Sequence, residues 1–327
     1  MGFSTFKVIK PGPFTTIRKL LEQTSADKST SIFGILDHFA LKIGNLLLKN
    51  PLDETGIEMI GTGAEMEVKR ATVIAVTGGS FDVELNGEPV QQWRTMNVSE
   101  GDILSVGISK SGWRCYICVA GGIKEVHGGR LKAASPKGKK SEFQRGSLKK
   151  GAVLITGTSA VSLNQLIGRK VKETILPRLQ GERELRIILM PQYECLKDES
   201  KEVFLNSSYR LSSDSSLVSY QFEGPRLLFK DEGTRDVEFD RSHTQNGKYT
   251  GGVIYVMADG EMICAAPDFV PVKDRIGIAR LIIPDMDRVA QLRPEDHIKF
   301  KVVTQDDARS IFDYSIGLIS ETNILSM

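Results

Sequence analysis

Residues 103–119 decide the fold class, and they read Ile-Leu-Ser-Val-Gly-Ile-Ser-Lys-Ser-Gly-Trp-Arg-Cys-Tyr-Ile-Cys-Val. β-branched, aromatic and other apolar residues fill both ends of this stretch, which is typical of β-strands. Lys110-Ser111-Gly112 interrupts them with a turn signal. We therefore predict two strands, 103–108 and 113–119, that are joined by a turn.

Similar turn signals separate short apolar stretches elsewhere. Asn86-Gly87 is the strongest short cue for a β-hairpin, and Ala258-Asp259-Gly260 separates two further apolar stretches. Only two helices are predicted: one capped by Asp37 that runs to residue 50, and a short one capped by Asp285 that runs to residue 291. The chain is therefore predicted to be mainly β. It lacks the long alternation of strands and helices that a doubly wound nucleotide-binding fold needs.

Length and charge set the broad class. The chain has 327 residues, which corresponds to about two domains at ~150 residues each. The 43 Lys and Arg residues nearly balance the 41 Asp and Glu residues, so the net charge of +2 favours neither nucleic acid nor an anionic membrane as a partner. The first ten residues show no apolar core of signal-peptide length. We expect a cytoplasmic protein that binds neither nucleic acid nor membranes.

Two of the four cysteines, Cys115 and Cys118, form a Cys-x-x-Cys pair. Both lie in the predicted strand 113–119, where residues three apart point to opposite faces. They are therefore predicted to be buried thiols rather than a metal or redox pair. The four histidines are far apart in the sequence and no pair has ligand spacing, so we predict no metal site.

The segment 124–150 is rich in Lys and Arg, and its glycines and Ser135-Pro136 predict a loop. Two interpretations stay open: a solvated loop, or a contact surface for an acidic partner or a phosphate. Under the second interpretation, the candidate partner-binding residues are Lys137, Lys139, Lys140 and Arg145.

Standard catalytic motifs are missing, since the sequence holds no Walker loop and no Gly-x-Ser-x-Gly or His-Glu-x-x-His motif.

A resemblance to a known family carries the interpretation further. Lys10-Pro11-Gly12-Pro13-Phe14-Thr15-Thr16-Ile17 is similar to the opening K-x-G-x-x-T-T-[VI] of the allophanate hydrolase subunit 2 family. Other segments resemble that family in the same order: Gly34-Ile35-Leu36-Asp37, Gly44-Asn45-Leu46-Leu47-Leu48-Lys49-Asn50, Ile57-Glu58, Val76-Thr77-Gly78-Gly79, Tyr116-Ile117-Cys118-Val119-Ala120-Gly121-Gly122-Ile123, Phe222-Glu223-Gly224-Pro225 and Val289-Ala290-Gln291-Leu292.

The family includes the C subunit of 5-oxoprolinase, KipA-type antagonists of kinase inhibitors and part of the carboxyltransferase region of urea amidolyase. The resemblance implies two cyclophilin-like β-barrel domains with few short helices. We predict these domains at 1–150 and 185–310, with a connecting segment at 151–184 and a C-terminal tail at 311–327.

The resemblance also implies partners. They are a subunit-1 or KipI-like protein, a third hydrolase subunit as in 5-oxoprolinase, and a small-molecule substrate; a homo-oligomer stays open. ATP would act through the complex and biotin would be borne by a partner, so no cofactor is expected to be bound covalently to this chain.

The sequence departs from the family at three motifs. Lys19 replaces the acid and Glu22 replaces the arginine of the family's D-x-G-R. Residues 216–219 are Ser-Leu-Val-Ser where the family has [SN]-R-M-G. The family's D-x-Q-T-x-G-G-Y is replaced over 268–277. An arginine grips a carboxylate at two points, which Leu217 cannot do.

The remaining substrate-binding candidates are polar residues in or beside the matching motifs: Thr15, Thr16, Asp37, Asn45, Glu58, Asp268 and Arg275. Asp37 is also a helix cap, and Asn45 can bond a neighbouring loop. Glu58, if buried, needs a partner such as Arg70 or Lys69. Two arginines, Arg18 and Arg210, are available to replace the family's lost ones, and no catalytic residue is assigned.

Two functions of different class follow from the resemblance. In the first, the chain is a working subunit of an ATP-dependent amidohydrolase or carboxyltransferase complex that acts on a small amide or lactam. In the second, it is a non-catalytic KipA-type regulatory binding protein that has lost the family's active-site motifs. We expect no activity from the isolated chain.

Overall fold

The computed structural model describes residues 2–18, 35–128, 147–230, 251–267, 269 and 275–326. Several residues singled out in the sequence lie outside the described residues: Lys19, Glu22, Lys137, Lys139, Lys140, Arg145 and Asp268.

Two compact units divide the chain: unit 1 comprises 1–179 and 317–327, and unit 2 comprises 180–316. The predicted connecting segment contributes β10 (Val153–Thr156) to the main sheet of unit 1. The predicted tail contributes β19 (Ile324–Ser326), which pairs with β11 (Arg169–Val171) in the same unit.

Unit 1 is built on a curled sheet of ten strands. Its strands are β1 (Phe3–Lys10), β2 (Thr15–Arg18), β3 (Gly56–Ile60), β4 (Glu65–Val68), β5 (Thr72–Leu85), β6 (Glu88–Pro89), β7 (Thr95–Val98), β8 (Ile103–Val119), β9 (Ile123–His127) and β10. The spatial order is β2-β3-β8-β4-β1-β10-β9, and β5 pairs with β6, β7 and β8.

The long antiparallel pair β5–β8 forms the centre of this sheet. The Asn86-Gly87 hairpin is confirmed, since both residues have positive φ (55° and 83°) as a type I′ turn requires. The turn predicted at 110–112 is wrong, because β8 continues through it as one strand of 17 residues. Residues 110–112 lie beside shifts in the register between β8 and β5. The irregular pairing accommodates them within the strand, as β-bulges do.

The core of unit 1 lies on both faces of the β8 region. One face carries a cluster that includes Met59, Cys115 and Ile117. The other packs against α1 (His38–Leu47) and includes Cys118. The opposite-face prediction for the two thiols is therefore confirmed, and burial raises the pKa of both.

Helix α1 begins as predicted. The Asp37 carboxylate accepts a hydrogen bond from the Ala40 backbone N–H at 2.8 Å, which satisfies one of the unpaired donors of the first turn.

Unit 2 is a closed barrel of seven strands in the order β12-β17-β15-β16-β14-β13-β18. The strands are β12 (Arg183–Leu189), β13 (Tyr209–Leu211), β14 (Ser219–Glu223), β15 (Val253–Met257), β16 (Met262–Ala265), β17 (Arg275–Leu281) and β18 (His297–Val302). The predicted turn at 258–260 joins β15 to β16 and is confirmed. The prediction of a mainly β chain is likewise confirmed.

In the part of the second half that the structure describes, the α-helices are α2 (Asp198–Asn206), α3 (Ile283–Ala290) and α4 (Gln305–Leu318). The sequence prediction missed α2 and α4. Asp285 is not the cap of α3, because the helix begins earlier, with Ile282 at the N-cap and a proline in its first turn. The Asp285 carboxylate is instead fully buried against Arg186 of β12.

Candidate functional site

A buried polar cluster lies where β2, β3 and β8 run side by side in unit 1. In the ladder, Glu58 of β3 pairs with Thr16 of β2 on one side and with Tyr116 of β8 on the other. We name Thr16, Arg18, Glu58, Arg114 and Tyr116 the Glu58 cluster. Alternation along a strand places Thr16 with Arg18, and Arg114 with Tyr116, on the same face of the sheet.

The carboxylate of Glu58 is the centre of the cluster. Its Oε1 accepts a hydrogen bond from Tyr116 Oη at 2.8 Å and lies 3.7 Å from Arg114 Nε. Its Oε2 accepts a hydrogen bond from Arg18 Nε at 3.0 Å, and the same Nε lies 3.1 Å from Thr16 Oγ1. Both oxygens are thus engaged, so Glu58 is suited to orienting these donors rather than to accepting a proton from a substrate.

Burial decides which member of the cluster can reach a ligand. Tyr116 is fully buried and Glu58 is 3% exposed, whereas the Arg18 side chain is 12% exposed. Burial is also the main reason why the pKa of Tyr116 lies well above its usual value, and the negative charges of Glu58 and Asp37 raise it further. The phenol therefore stays protonated and donates its hydrogen bond to Glu58.

His38 follows the Asp37 cap and is neutral at pH 7. Burial, with a smaller contribution from the nearby positive charge of Lys42, lowers the pKa of His38 to about 4. The His38 imidazole is therefore uncharged at pH 7.

The predicted partners of Glu58 are wrong. Arg70 follows β4 and lies over the ring of Phe3, and Lys69 pairs with Glu67 at 2.9 Å. The register of β3 places the Glu58 side chain between those of β2 and β8, so its partners come from these two strands.

Three other candidate residues of unit 1 lie outside the Glu58 cluster. Asp37 caps α1, and Asn45 fixes the loop that follows the helix, since its Nδ2 donates to the Glu54 backbone oxygen at 2.8 Å and its Oδ1 accepts from Asn50. Thr15 Oγ1 is buried and has no hydrogen-bond partner within the described ranges.

The candidates in unit 2 are arranged separately. The Arg275 guanidinium lies over the ring of Phe269, 5.1 Å from its centroid, and its buried Nε finds no partner in the described part of the chain. Arg210 is held by Glu223 and by Glu295, so it is already paired with two carboxylates.

Residues 216–219 form a turn that bonds to itself. Ser216 donates its N–H to the backbone oxygen of Ser219 at 2.8 Å, and its hydroxyl accepts from the Ser219 N–H at 3.0 Å. Leu217 lies within this turn and offers no charge to a ligand.

Arg114 and Tyr116 are site residues that the sequence alone did not reveal. A signal was present, because a tyrosine inside an apolar strand and a glutamate inside another both need polar partners once buried. The missing information was the register that places Glu58 opposite Tyr116.

Metal binding and membrane crossing find no support in the described residues. They contain no group of three or more His, Cys, Asp and Glu side chains arranged to hold a metal ion. In the same part of the chain, no helix combines the length and apolar character needed to cross a membrane.

The comparisons with known proteins identify the family. The carboxyltransferase domain family, subdomains A and B, matches residues 30–302, so the chain belongs to it. The C subunit of 5-oxoprolinase from Haemophilus influenzae is 26% identical over 282 residues, which cover 85% of this chain and 84% of that protein. The resemblance found in the ordered motifs is thereby confirmed.

A larger protein contains a similar region. Urea amidolyase of Saccharomyces cerevisiae is 23% identical over 289 residues, which cover 85% of this chain but 15% of that protein. The chain therefore corresponds to a small part of the urea amidolyase. The crystal structure of the Kluyveromyces lactis urea amidolyase superposes with a TM-score of 0.80 at 22% identity, covering 99% of this chain and 21% of that one, which shows the fold.

Proposed function

We propose that this chain is a subunit-2-type component of a complex related to 5-oxoprolinase and allophanate hydrolase. It would act with a subunit-1 or KipI-like partner on a small amide or lactam substrate. The Glu58 cluster carries this proposal, since it is an oriented set of donors inside a member of the carboxyltransferase domain family.

Arg18 is the residue that we propose to bind the substrate carboxylate. Its Nε is oriented by Glu58 and by Thr16, and its side chain is more exposed than that of Arg114. A guanidinium recognises a carboxylate through parallel N–H donors, and a fixed orientation strengthens that recognition. Arg210, the other arginine considered, is already paired with two carboxylates.

The helix N-termini that the structure describes do not favour binding of the ATP phosphates. Each of the four α-helices has a carboxylate at its N-terminus, and these residues are Asp37, Asp198, Asp285 and Asp306. A helix N-terminus attracts phosphate because of its free N–H groups and its dipole, and a carboxylate placed there opposes phosphate binding. We therefore propose that the partner binds ATP and that any biotin is also borne by a partner.

The test is reconstitution. The chain is co-expressed with candidate subunit-1-like and third-subunit proteins, and the purified complex receives ATP, magnesium and 5-oxoproline while glutamate and ADP are measured. Parallel assays use urea with bicarbonate and a biotin-bearing partner. We expect no turnover by the isolated chain and ATP-dependent turnover by the complex. Glutamate formation by the isolated chain above the no-protein control would contradict the proposed dependence on a partner.

Arg18→Gln tests the assigned residue in the active complex. We expect KM for the substrate to rise at least tenfold, since one charge-assisted contact is lost, while complex formation is unchanged. Arg94→Gln is the matched control, because Arg94 bonds Gln91 in the same unit, outside the Glu58 cluster. An unchanged KM in Arg18→Gln would refute the role of Arg18.

The turn at 216–219 favours the second candidate function, a KipA-type regulatory binding protein. It replaces a motif in which the family has an arginine, and its polar groups bond to each other. A complex that assembles, shows no turnover on either substrate and changes the activity of its partner would establish this alternative.

A further inference from the structure

A cavity of about 240 Å³ opens in unit 1, and no residue of the Glu58 cluster lines it. Its walls come from the start of β1, the junction 70–72 between β4 and β5, the end of β10 and the segment 157–163. Among the described residues that line it there is one cation, Arg70, and no acidic side chain. Six hydroxyl side chains complete its polar surface: Thr5, Thr72, Thr156, Thr158, Ser159 and Ser162.

Arg70 is held in a defined place by an aromatic ring, and no acidic side chain of the described residues pairs with it. Its guanidinium carbon lies 3.4 Å from the centroid of the Phe3 ring, and both residues line the cavity. Stacking on an aromatic face orients a guanidinium and leaves its N–H edge available for an anion. Within the described ranges Arg70 forms no ion pair, and the adjacent Lys69 is already paired with Glu67.

Four of the six hydroxyl groups make side-chain hydrogen bonds within unit 1, and these residues are Thr5, Thr156, Ser159 and Ser162. Thr5 and Thr156 bond to each other at 2.6 Å, and Thr5 also donates to the backbone oxygen of Phe3. Thr72 and Thr158 make no side-chain hydrogen bond with any residue that the structure describes. The cavity thus combines one oriented cation with two hydroxyls that can donate.

We propose that this cavity binds a small oxyanion, a carboxylate or a phosphate, with Arg70 as the charged ligand and Thr72 and Thr158 as hydroxyl donors. Charge-assisted bonds from a guanidinium are the strong polar contacts to such groups. The volume lies below the ~300–1,000 Å³ of sites for drug-sized ligands, so the ligand is a compact molecule. This site is separate from the one proposed at Arg18, and its test does not depend on turnover.

The test is an NMR titration of the full-length chain with inorganic phosphate and, in a second arm, with succinate. Sodium chloride keeps the ionic strength constant, since exposed charges are sensitive to screening. We expect one of the two anions to shift the backbone amides of 157–159 saturably at a single site. The arm that saturates identifies the oxyanion as phosphate or carboxylate.

Three variants locate the binding. Arg70→Gln should lower the affinity for the saturating anion at least tenfold, and Thr158→Val should lower that affinity several-fold, because each substitution removes one donor. Arg94→Gln is the control for the loss of a positive charge outside the cavity and should bind as the unchanged chain does. Arg70 is exposed, so Arg70→Gln is expected to fold, and circular dichroism checks this.

Two outcomes would overturn the proposal. The first is that neither anion shifts the amides of 157–159. The second is that Arg70→Gln loses no more affinity than the Arg94→Gln control.

Discussion

Replacing Asp285 by asparagine tests how much one buried carboxylate stabilises unit 2. Asp285 has no exposed surface. Its Oδ2 accepts hydrogen bonds from the backbone N of Arg186 at 2.6 Å and from Arg186 Nε at 3.0 Å, and its Oδ1 accepts from Arg186 Nη2 at 2.5 Å. Arg288 Nε lies 3.4 Å from Oδ1. These contacts join α3 to β12.

The magnitude follows from these bonds. A hydrogen bond to a charged group contributes ~1.5–3 kcal/mol, so three such bonds set an upper limit of ~5–9 kcal/mol. Asparagine retains one accepting oxygen, and the Arg186 side chain, which is 19% exposed, keeps some hydration. Breaking one partner of a buried ion pair costs ~3–5 kcal/mol, and this partial hydration favours the lower end. We expect Asp285→Asn to lower the free energy of unfolding of unit 2 by about 3 kcal/mol.

The assay is urea unfolding followed by circular dichroism, with hydrogen exchange of β12 and α3 as the local measure. Glu184→Gln is the matched control, because Glu184 lies on the same strand and pairs with Lys301 at 3.2 Å in an exposed position. Exposed pairs contribute little, so the control should lose at most ~0.5 kcal/mol. A loss below ~1 kcal/mol in Asp285→Asn, or a loss equal to that of the control, would refute the reasoning.

The remaining predictions concern pH, thiol reactivity and backbone conformation. The pKa of His38 is lowered to about 4 in the folded chain, so between pH 6.5 and 4 the unfolded chain binds a proton that the folded chain does not. The free energy of unfolding should therefore decrease as the pH is lowered through this window, by at most ~3.4 kcal/mol, and urea titrations of His38→Gln should lack that contribution. Iodoacetamide followed by mass spectrometry should find Cys195 modified first, since burial raises the pKa of the other three thiols, and rapid modification of a second thiol would contradict this. Gly78→Ala should destabilise the chain more than Gly87→Ala in urea unfolding. Both glycines have positive φ, which costs ~1–2 kcal/mol for an alanine. At residue 78 the added methyl group would also lie 2.5 Å from a backbone oxygen, whereas at residue 87 it would meet no atom within 4 Å.

The sequence predicted the parts of the fold that local chemistry determines. The type I′ turn at Asn86-Gly87 depends on two residues that tolerate positive φ, and the Asp37 cap depends on one side-chain oxygen. The turn at 110–112 failed because a neighbouring strand overrode the local signal: β5 supplies ladder partners on both sides of it. Helix α4 was missed because residues 311–327 were interpreted as a tail, and the helix has no fully buried residue among those described.

The candidate site was predicted only in part for a different reason. Glu58 and Thr16 were identified individually, but a buried carboxylate takes its partners from whichever strands lie beside it in space. Tyr116 lies 58 residues after Glu58 in the sequence, and Arg18 lies 40 residues before Glu58. Arg70, which was predicted as a partner, follows β4 and lines a separate cavity.

The location of the departures from the family motifs bears on function. Every donor to Glu58 in the described structure comes from β2 or β8, whose register against β3 is fixed by backbone hydrogen bonds. Residues 216–219, in contrast, lie in a turn whose polar groups bond to each other. A substitution such as leucine at residue 217 therefore changes what a loop can offer a substrate and leaves the strand-borne cluster intact. For the departure at 216–219, this separation explains how the chain can lack the family's arginine at that motif and retain oriented donors around Glu58. It also makes Arg18, which this cluster orients, the residue at which substrate recognition is best tested.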